Sequence, residues 1–135
     1  MTKTNISPEL FRVCDANLNR LKEGIRVVED ILRYKDNNKI LASKLKQLRH
    51  QAKTSKYKQF LEQRDSLNDV LKPSTKSEQK RETLEDIIIS NFKRAQESSR
   101  VLEEIFKLDD INESEKFKSI RYALYSLEKE IILAT

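Results

Sequence analysis

The chain has 135 residues and a net charge of +5, with 36% charged residues, 37% apolar residues, one glycine, two prolines and no tryptophan. Its length suits one domain with a real core, and its single cysteine, Cys14, excludes an internal disulfide and reads as a small core residue. The apolar runs are too short to span a membrane, and MTKTNISPEL lacks a signal peptide's apolar segment, so the expectation is a cytoplasmic protein without a membrane partner.

Taken in order, the elements are helical. Ser7-Pro8-Glu9 is a helix start, with Ser7 as cap, Pro8 at the first helical position and Glu9 favourable to the dipole. Apolar residues follow at Leu10, Val13, Cys14, Leu21, Ile25, Val28, Ile31 and Leu32, which is helical spacing. Asp36-Asn37-Asn38 ends that run. A second helix carries Leu41, Leu45, Leu48 and Ala52 toward Phe60. Residues 63–77 have turn chemistry and contain Pro73. A third helix runs from about Glu78 to Leu108. Asn112 or Ser114 can cap a fourth, with Phe117, Ile120, Leu124, Leu127 and Ile131 on one stripe. No strand pattern competes.

The chain repeats itself. Residues 16–33 and 90–107 are identical at seven of eighteen positions: Asn17/Asn91, Arg20/Arg94, Glu23/Glu97, Arg26/Arg100, Val27/Val101, Glu29/Glu103 and Ile31/Ile105. Leu48-Arg49-His50 likewise corresponds to Ile120-Arg121-Tyr122. Residues 1–135 are therefore expected to form one all-α domain. It would consist of two pseudo-symmetric hairpins, 1–62 and 78–135, joined by loop 63–77 and packed as a four-helix bundle.

The shared residues are mostly polar, whereas a repeat that only preserved a core would let its charges drift. On an apolar face centred near Leu10 and Val28, Asn17 falls mid-face, Arg20 about 60° to one side, and Glu23 one turn on. Asn91, Arg94 and Glu97 are equivalent. Arg20 and Arg94 are thus expected to be buried or to line a cavity, each beside a carboxylate. Two readings stand: register-fixing ion pairs, or, with Arg49 and Arg121, an anion pocket whose guanidinium forks grip phosphate. Gly24, mid-helix on this face, serves either close helix contact or backbone approach to a ligand.

The loop contributes Arg64, Asp65, Asp69 and Lys72. Asp65 and Asp69 are candidate magnesium ligands or ordinary turn residues. His50, the only histidine, reads as a surface or capping group. Glycine-rich nucleotide loops and the common zinc motifs are absent. The densest basic patch, Lys44, Lys46, Lys53, Lys56 and Lys58, has no aromatic interleaving, so it reads as a solvated helix face rather than a nucleic-acid footprint, and a basic surface would also suit anionic phosphorylated metabolites.

At residues 12–33, RVCDANLNRLKEGIRVVEDILR, the chain resembles the small all-helical hydroxymethylpyrimidine-phosphate kinases of thiamine biosynthesis. The same domain occurs as an N-terminal extension of long thiamine-phosphate synthases. LKQLRH (45–50), RDSLNDV (64–70), NFKRAQESSRVLEEIFK (91–107) and IRYALYSLEK (120–129) continue the likeness in order, with Leu71 where a glycine is expected. The resemblance implies a stand-alone kinase. It would transfer the γ-phosphoryl group of ATP, with Mg²⁺, to the phosphate of its pyrimidine substrate, and its partners would be those two small molecules. Arg20, Arg94, Glu23 and Glu97 are the candidate catalytic groups. Asn17, Asn91, Arg49, Arg121, Arg64 and Lys72 would bind substrate, and Asp65 and Asp69 the metal. A non-catalytic module of a thiamine enzyme and a weak polyanion binder remain the alternatives, and homo-oligomerisation stays open.

Overall fold

A computed structural model describes residues 5–134, with the backbone alone for Ser77; Met1–Thr4 and Thr135, the outer ends of the two expected hairpins, lie outside the described residues. All regular structure among these residues is helical. Helix α1 spans Pro8–Asp30 and runs into a π-helical turn at Ile31–Lys35. Then follow α2 (Lys39–Gln51), α3 (Tyr57–Glu62), α4 (Lys76–Gln79), α5 (Leu84–Phe106) and α6 (Ile111–Ala134). Four long helices form the bundle. No helix among the described residues is long and apolar enough to cross a membrane.

The helix starts follow capping chemistry. The Ser7 hydroxyl oxygen accepts the Leu10 amide at 3.3 Å, and Asn38 caps α2 through the Leu41 amide at 3.1 Å. Three expected boundaries move. Helix two stops at Gln51 rather than continuing to Phe60, because Ala52 leaves helical geometry and the chain restarts as α3. Helix three begins at Leu84, not Glu78, because Thr83 and Asp86 form a reciprocal capping box there. In helix four the cap is Asp110, whose side chain accepts the Asn112 and Glu113 amides. Ser114 is instead buried and donates to the Glu103 carbonyl at 2.8 Å.

The core follows the repeat. Cys14, Leu18, Leu21, Ile25, Val28 and Leu32 are buried on α1, and their counterparts Ile88, Phe92, Ala95, Ser99, Leu102 and Phe106 are buried on α5. These two stripes pack against each other, and α2 and α6 cover their flanks. An aromatic row, Phe11–Phe60–Phe106–Phe117, closes one end with centroid spacings of 5.6, 6.3 and 5.6 Å. Phe60 in this row explains why short α3 forms: it carries a fully buried ring into the core. Burial pushes the Cys14 thiol up to about 12, so it stays protonated at neutral pH.

Gly24 serves helix contact. A Cβ placed there would lie 2.9 Å from the Asn91 carbonyl oxygen and 3.3 Å from the Ala95 Cβ, both on α5. Gly24→Ala adds about 1 kcal/mol of helix propensity, but forcing two backbones apart costs about 1–3 kcal/mol. The expected result is a net fall of several degrees in Tm by thermal unfolding. An unchanged Tm would mean that α1 and α5 are less tightly apposed.

Candidate functional site

The buried stripe of α1 lies elsewhere than the apolar pattern suggested. Phe11 and Leu18 belong to it, whereas Val13 is 38% exposed and Leu10 and Ile31 are only partly buried. The stripe therefore centres on Cys14, Leu18, Leu21 and Ile25. At about 100° per residue, Arg20 sits roughly 120° from Cys14 and Glu23 on the opposite side. Arg20, Glu23, Arg94 and Glu97 are accordingly all exposed, and none makes an ion pair among the described residues. The expectation of burial, with a carboxylate beside each arginine, is corrected on this point; its other branch, that the arginine lines a cavity, holds for Arg20.

The symmetric buried pairs use different members of the repeat. Glu29, 1% exposed, takes a fork from Arg49: Nε at 2.7 Å and Nη2 at 3.1 Å. Glu103, 3% exposed, accepts Arg121 Nη2 on both oxygens at 3.2 Å, and Arg100 also reaches it at 3.2 Å. Hydrogen bonding to Glu29 holds the Arg49 guanidinium above its ordinary pKa. Arg121 Nε is buried without a partner, and its guanidinium lies 5.0 Å from the Tyr122 ring centroid and 5.9 Å from that of Tyr125. Arg49 and Arg121 therefore tie α2 to α1 and α6 to α5 and do not converge on one anion pocket with Arg20 and Arg94. Asn17 and Asn91 also behave alike: each amide nitrogen donates to the carbonyl four residues back, Val13 at 2.9 Å and Ile87 at 2.8 Å.

A cavity of about 620 Å³ opens between the N-terminal half of α1 and residues 63–69. Arg12, Asn17, Asn19 and Arg20 line it from the helix, and Arg64, Asp65 and Asp69 from the loop. The loop is strapped to the helix. Arg64 forks onto buried Asp15 with both bonds at 2.8 Å, and Arg12 Nη2 donates to the Asp65 carbonyl at 2.9 Å. The hydrogen bonds that Arg64 donates to Asp15 hold its guanidinium above its ordinary pKa. Arg64 is thus a positioning group whose fork is occupied, while Arg20 presents an unpaired guanidinium to the cavity.

The two loop carboxylates also shape turns. Asp65 accepts the Asn68 amide at 3.2 Å and its side-chain nitrogen at 2.7 Å, and the Asn68 side chain holds the Asp65 carboxyl below its usual range. Asp69 accepts the Leu71 amide at 2.9 Å. No group of three or more His, Cys, Asp or Glu that could hold a metal forms among the described residues. Asp65 and Asp69 nevertheless border one cavity and keep unspent oxygen lone pairs, a hard-donor set suited to magnesium when substrate phosphates complete the shell. Arg94, Lys72 and His50 are exposed and do not line this cavity. Arg12 and Asp15 were missed as site residues; the available signal was Asp15, a carboxylate between the buried positions Cys14 and Leu18.

Relatives of the chain share a name. It is 33% identical over 134 residues to a thiamine-phosphate synthase of Nostoc punctiforme, covering 96% of this chain and 37% of that protein. It is 36% identical over 128 residues to a thiamine-phosphate synthase of Thermosynechococcus vestitus, covering 92% of this chain and 36% of the relative. The chain thus spans little more than a third of the length of these curated relatives. No solved structure matches it. Residues 12–130, from the arginine that pins the loop to the far turns of α6, match the ThiD2 family model, and the chain belongs to the ThiD2 family.

Proposed function

We propose that this protein is a kinase of thiamine biosynthesis that moves the γ-phosphoryl group of ATP onto the phosphate of hydroxymethylpyrimidine phosphate, giving the diphosphate and ADP. The observation that carries this reading is the cavity between α1 and residues 63–69, where Arg20 is free of any carboxylate and Asp65 and Asp69 share the rim. Membership of the family and the relatives named thiamine-phosphate synthase support it. So does the size: about 620 Å³ is within the range of small-molecule sites.

The chemistry asks little covalent work of the protein. An oxygen of the acceptor phosphate attacks the γ-phosphorus, the bond from the bridging oxygen to that phosphorus breaks, and ADP leaves with the electron pair. The acceptor is already ionised, so no side chain needs to remove a proton, which fits a site without histidine. What remains is positioning and neutralisation of charge. Arg20 provides a two-pronged donor for phosphate oxygens. Arg64 and Arg12 hold the loop so that Asp65 and Asp69 face the same space. Magnesium held by those two carboxylates would screen the polyphosphate charge.

The test is direct. Pure protein with Mg-ATP and hydroxymethylpyrimidine phosphate should yield ADP and the diphosphate in equal amounts, read by phosphorus NMR. Intact ATP would favour a second reading, a non-catalytic module of a thiamine enzyme. One observation speaks for that module: the matched region is only a part of the synthases that carry it. A further expected result concerns the loop. Asp65→Ala and Asp69→Ala should each lower turnover on the order of 10-fold or more while Tm moves little, because the hydrogen bonds their carboxylates accept come from within the loop, from Asn68 and Leu71. Unchanged turnover would leave them as turn residues alone.

A further inference from the structure

The geometry points to a second, separate anion site, built for a small ligand carrying a phosphate or diphosphate group, in the groove where the π-helical turn meets the start of α2. This inference does not depend on the kinase reading. The groove encloses about 320 Å³ and is lined by Glu29, Arg33, Asn37, Lys39, Ser43 and Lys46. Its nearest lining residue on α1, Glu29, is nine residues from Arg20, about 13–14 Å at 1.5 Å per residue, and the two linings share no residue, so it is not an extension of that cavity.

Its charge is uncompensated. Arg33, Lys39 and Lys46 come from two different elements, and none makes an ion pair among the described residues. Neighbouring basic groups on the same elements are paired: Lys35 with Asp36 at 3.3 Å, Lys44 with Glu130 at 3.9 Å, and Arg49 with Glu29. Arg33 only stacks beside the neighbouring Tyr34 ring, at 5.0 Å. Glu29, the one carboxylate in the lining, has both oxygens taken by the Arg49 fork. Three like charges around one small space repel one another, and an anion bound among them removes that cost.

The repeat supplies an internal control. The counterparts of Arg33, Lys39, Ser43 and Lys46 are Lys107, Ile111, Glu115 and Lys118. There one cation is replaced by isoleucine, the hydroxyl by a carboxylate, and Lys107 is paired with Glu104 at 2.8 Å. The bundle thus tolerates a neutralised version of this corner in its second half, so the folded architecture does not itself require the three free cations. A ligand does. Phosphate is the chemistry that fits: Arg33 can fork onto two oxygens, two lysines act as point charges, and Ser43 and Asn37 donate neutral hydrogen bonds. The positive end of α2 adds to the same field.

An amide-resolved NMR titration with sodium pyrophosphate and, in a second arm, ADP tests this at constant ionic strength. Shift changes should appear across residues 33–46 with a Kd below about 1 mM, and R33Q/K39Q/K46Q, three exposed substitutions that leave the core intact, should weaken binding at least about 10-fold. Saturation of 33–46 by both ligands assigns the diphosphate group as the determinant, and saturation by pyrophosphate alone assigns the free anion. Changes confined to residues 9–20 and 63–69, an equal Kd in the triple variant, or the same shifts when NaCl replaces the ligand would each overturn the inference. The measurement requires no turnover, so its failure and a failed kinase assay are separate events.

Discussion

Arg49→Met is expected to cost about 3–5 kcal/mol, the range for stripping one partner from a buried pair, and to lower Tm by roughly 10–20 °C. Glu29 is 1% exposed and receives both of its short bonds from Arg49, so the variant leaves a carboxylate in the interior with nothing to meet it. The double variant Glu29→Met/Arg49→Met should recover most of the loss, because the site then holds apolar volume in place of two desolvated charges. The repeat-related Arg121→Met should cost less. Arg121 reaches Glu103 through one nitrogen only, and Arg100 stays behind as a second cation at 3.2 Å. Differential scanning calorimetry of the four proteins decides the matter. Equal losses for Arg49→Met and Arg121→Met, or no recovery in the double variant, would show that these arginines act through packing of their stems rather than through their carboxylates.

This pair also shows where the sequence was legible and where it was not. The helical elements, the bundle and the doubled architecture could be read from spacing, because apolar period and caps are local signals. Glu29/Glu103 and Arg49/Arg121 were visible as repeated residues. That they meet could not be read, since each glutamate lies on one helix and its arginine on the next, about twenty residues on. The burial of Arg20 was misread for a simpler reason. Val13 is apolar but 38% exposed, and counting it with Leu10 and Ile31 tilted the inferred core face toward Arg20. Phe11 and Leu18 set the true face. The Arg64–Asp15 strap was beyond reach as well: it joins residues 49 apart, and a loop's path is fixed by such tertiary contacts rather than by local propensity.

Arg20→Met should leave Tm nearly unchanged and lower turnover by about 10²–10³-fold, the usual cost of removing one donor from a developing phosphoryl charge. The two halves of this expectation have separate physical grounds. Arg20 is exposed and makes no ion pair among the described residues, so its loss strands no buried partner, and surface changes of this kind usually stay within about 0.5 kcal/mol. It also lines the cavity that Asp65 and Asp69 border, where, among the described residues, it is the guanidinium held by neither a carboxylate nor a carbonyl. Arg12 is held by the Asp65 carbonyl and Arg64 by Asp15, so neither can take over without releasing the loop. Arg94→Met is the matched control. It changes the repeat-related arginine, equally exposed, at a place outside that cavity, and should alter neither Tm nor turnover. Thermal unfolding, turnover and substrate affinity measured on the same two preparations separate the possibilities. Loss of function in Arg20→Met alone places the phosphate at the α1–loop cavity. Equal loss in both variants would require the two halves of the repeat to share one ligand. Normal binding in Arg20→Met would move the phosphate contact to the loop, where Arg64 would have to exchange Asp15 for substrate, at a cost in stability that the same melting curves would register.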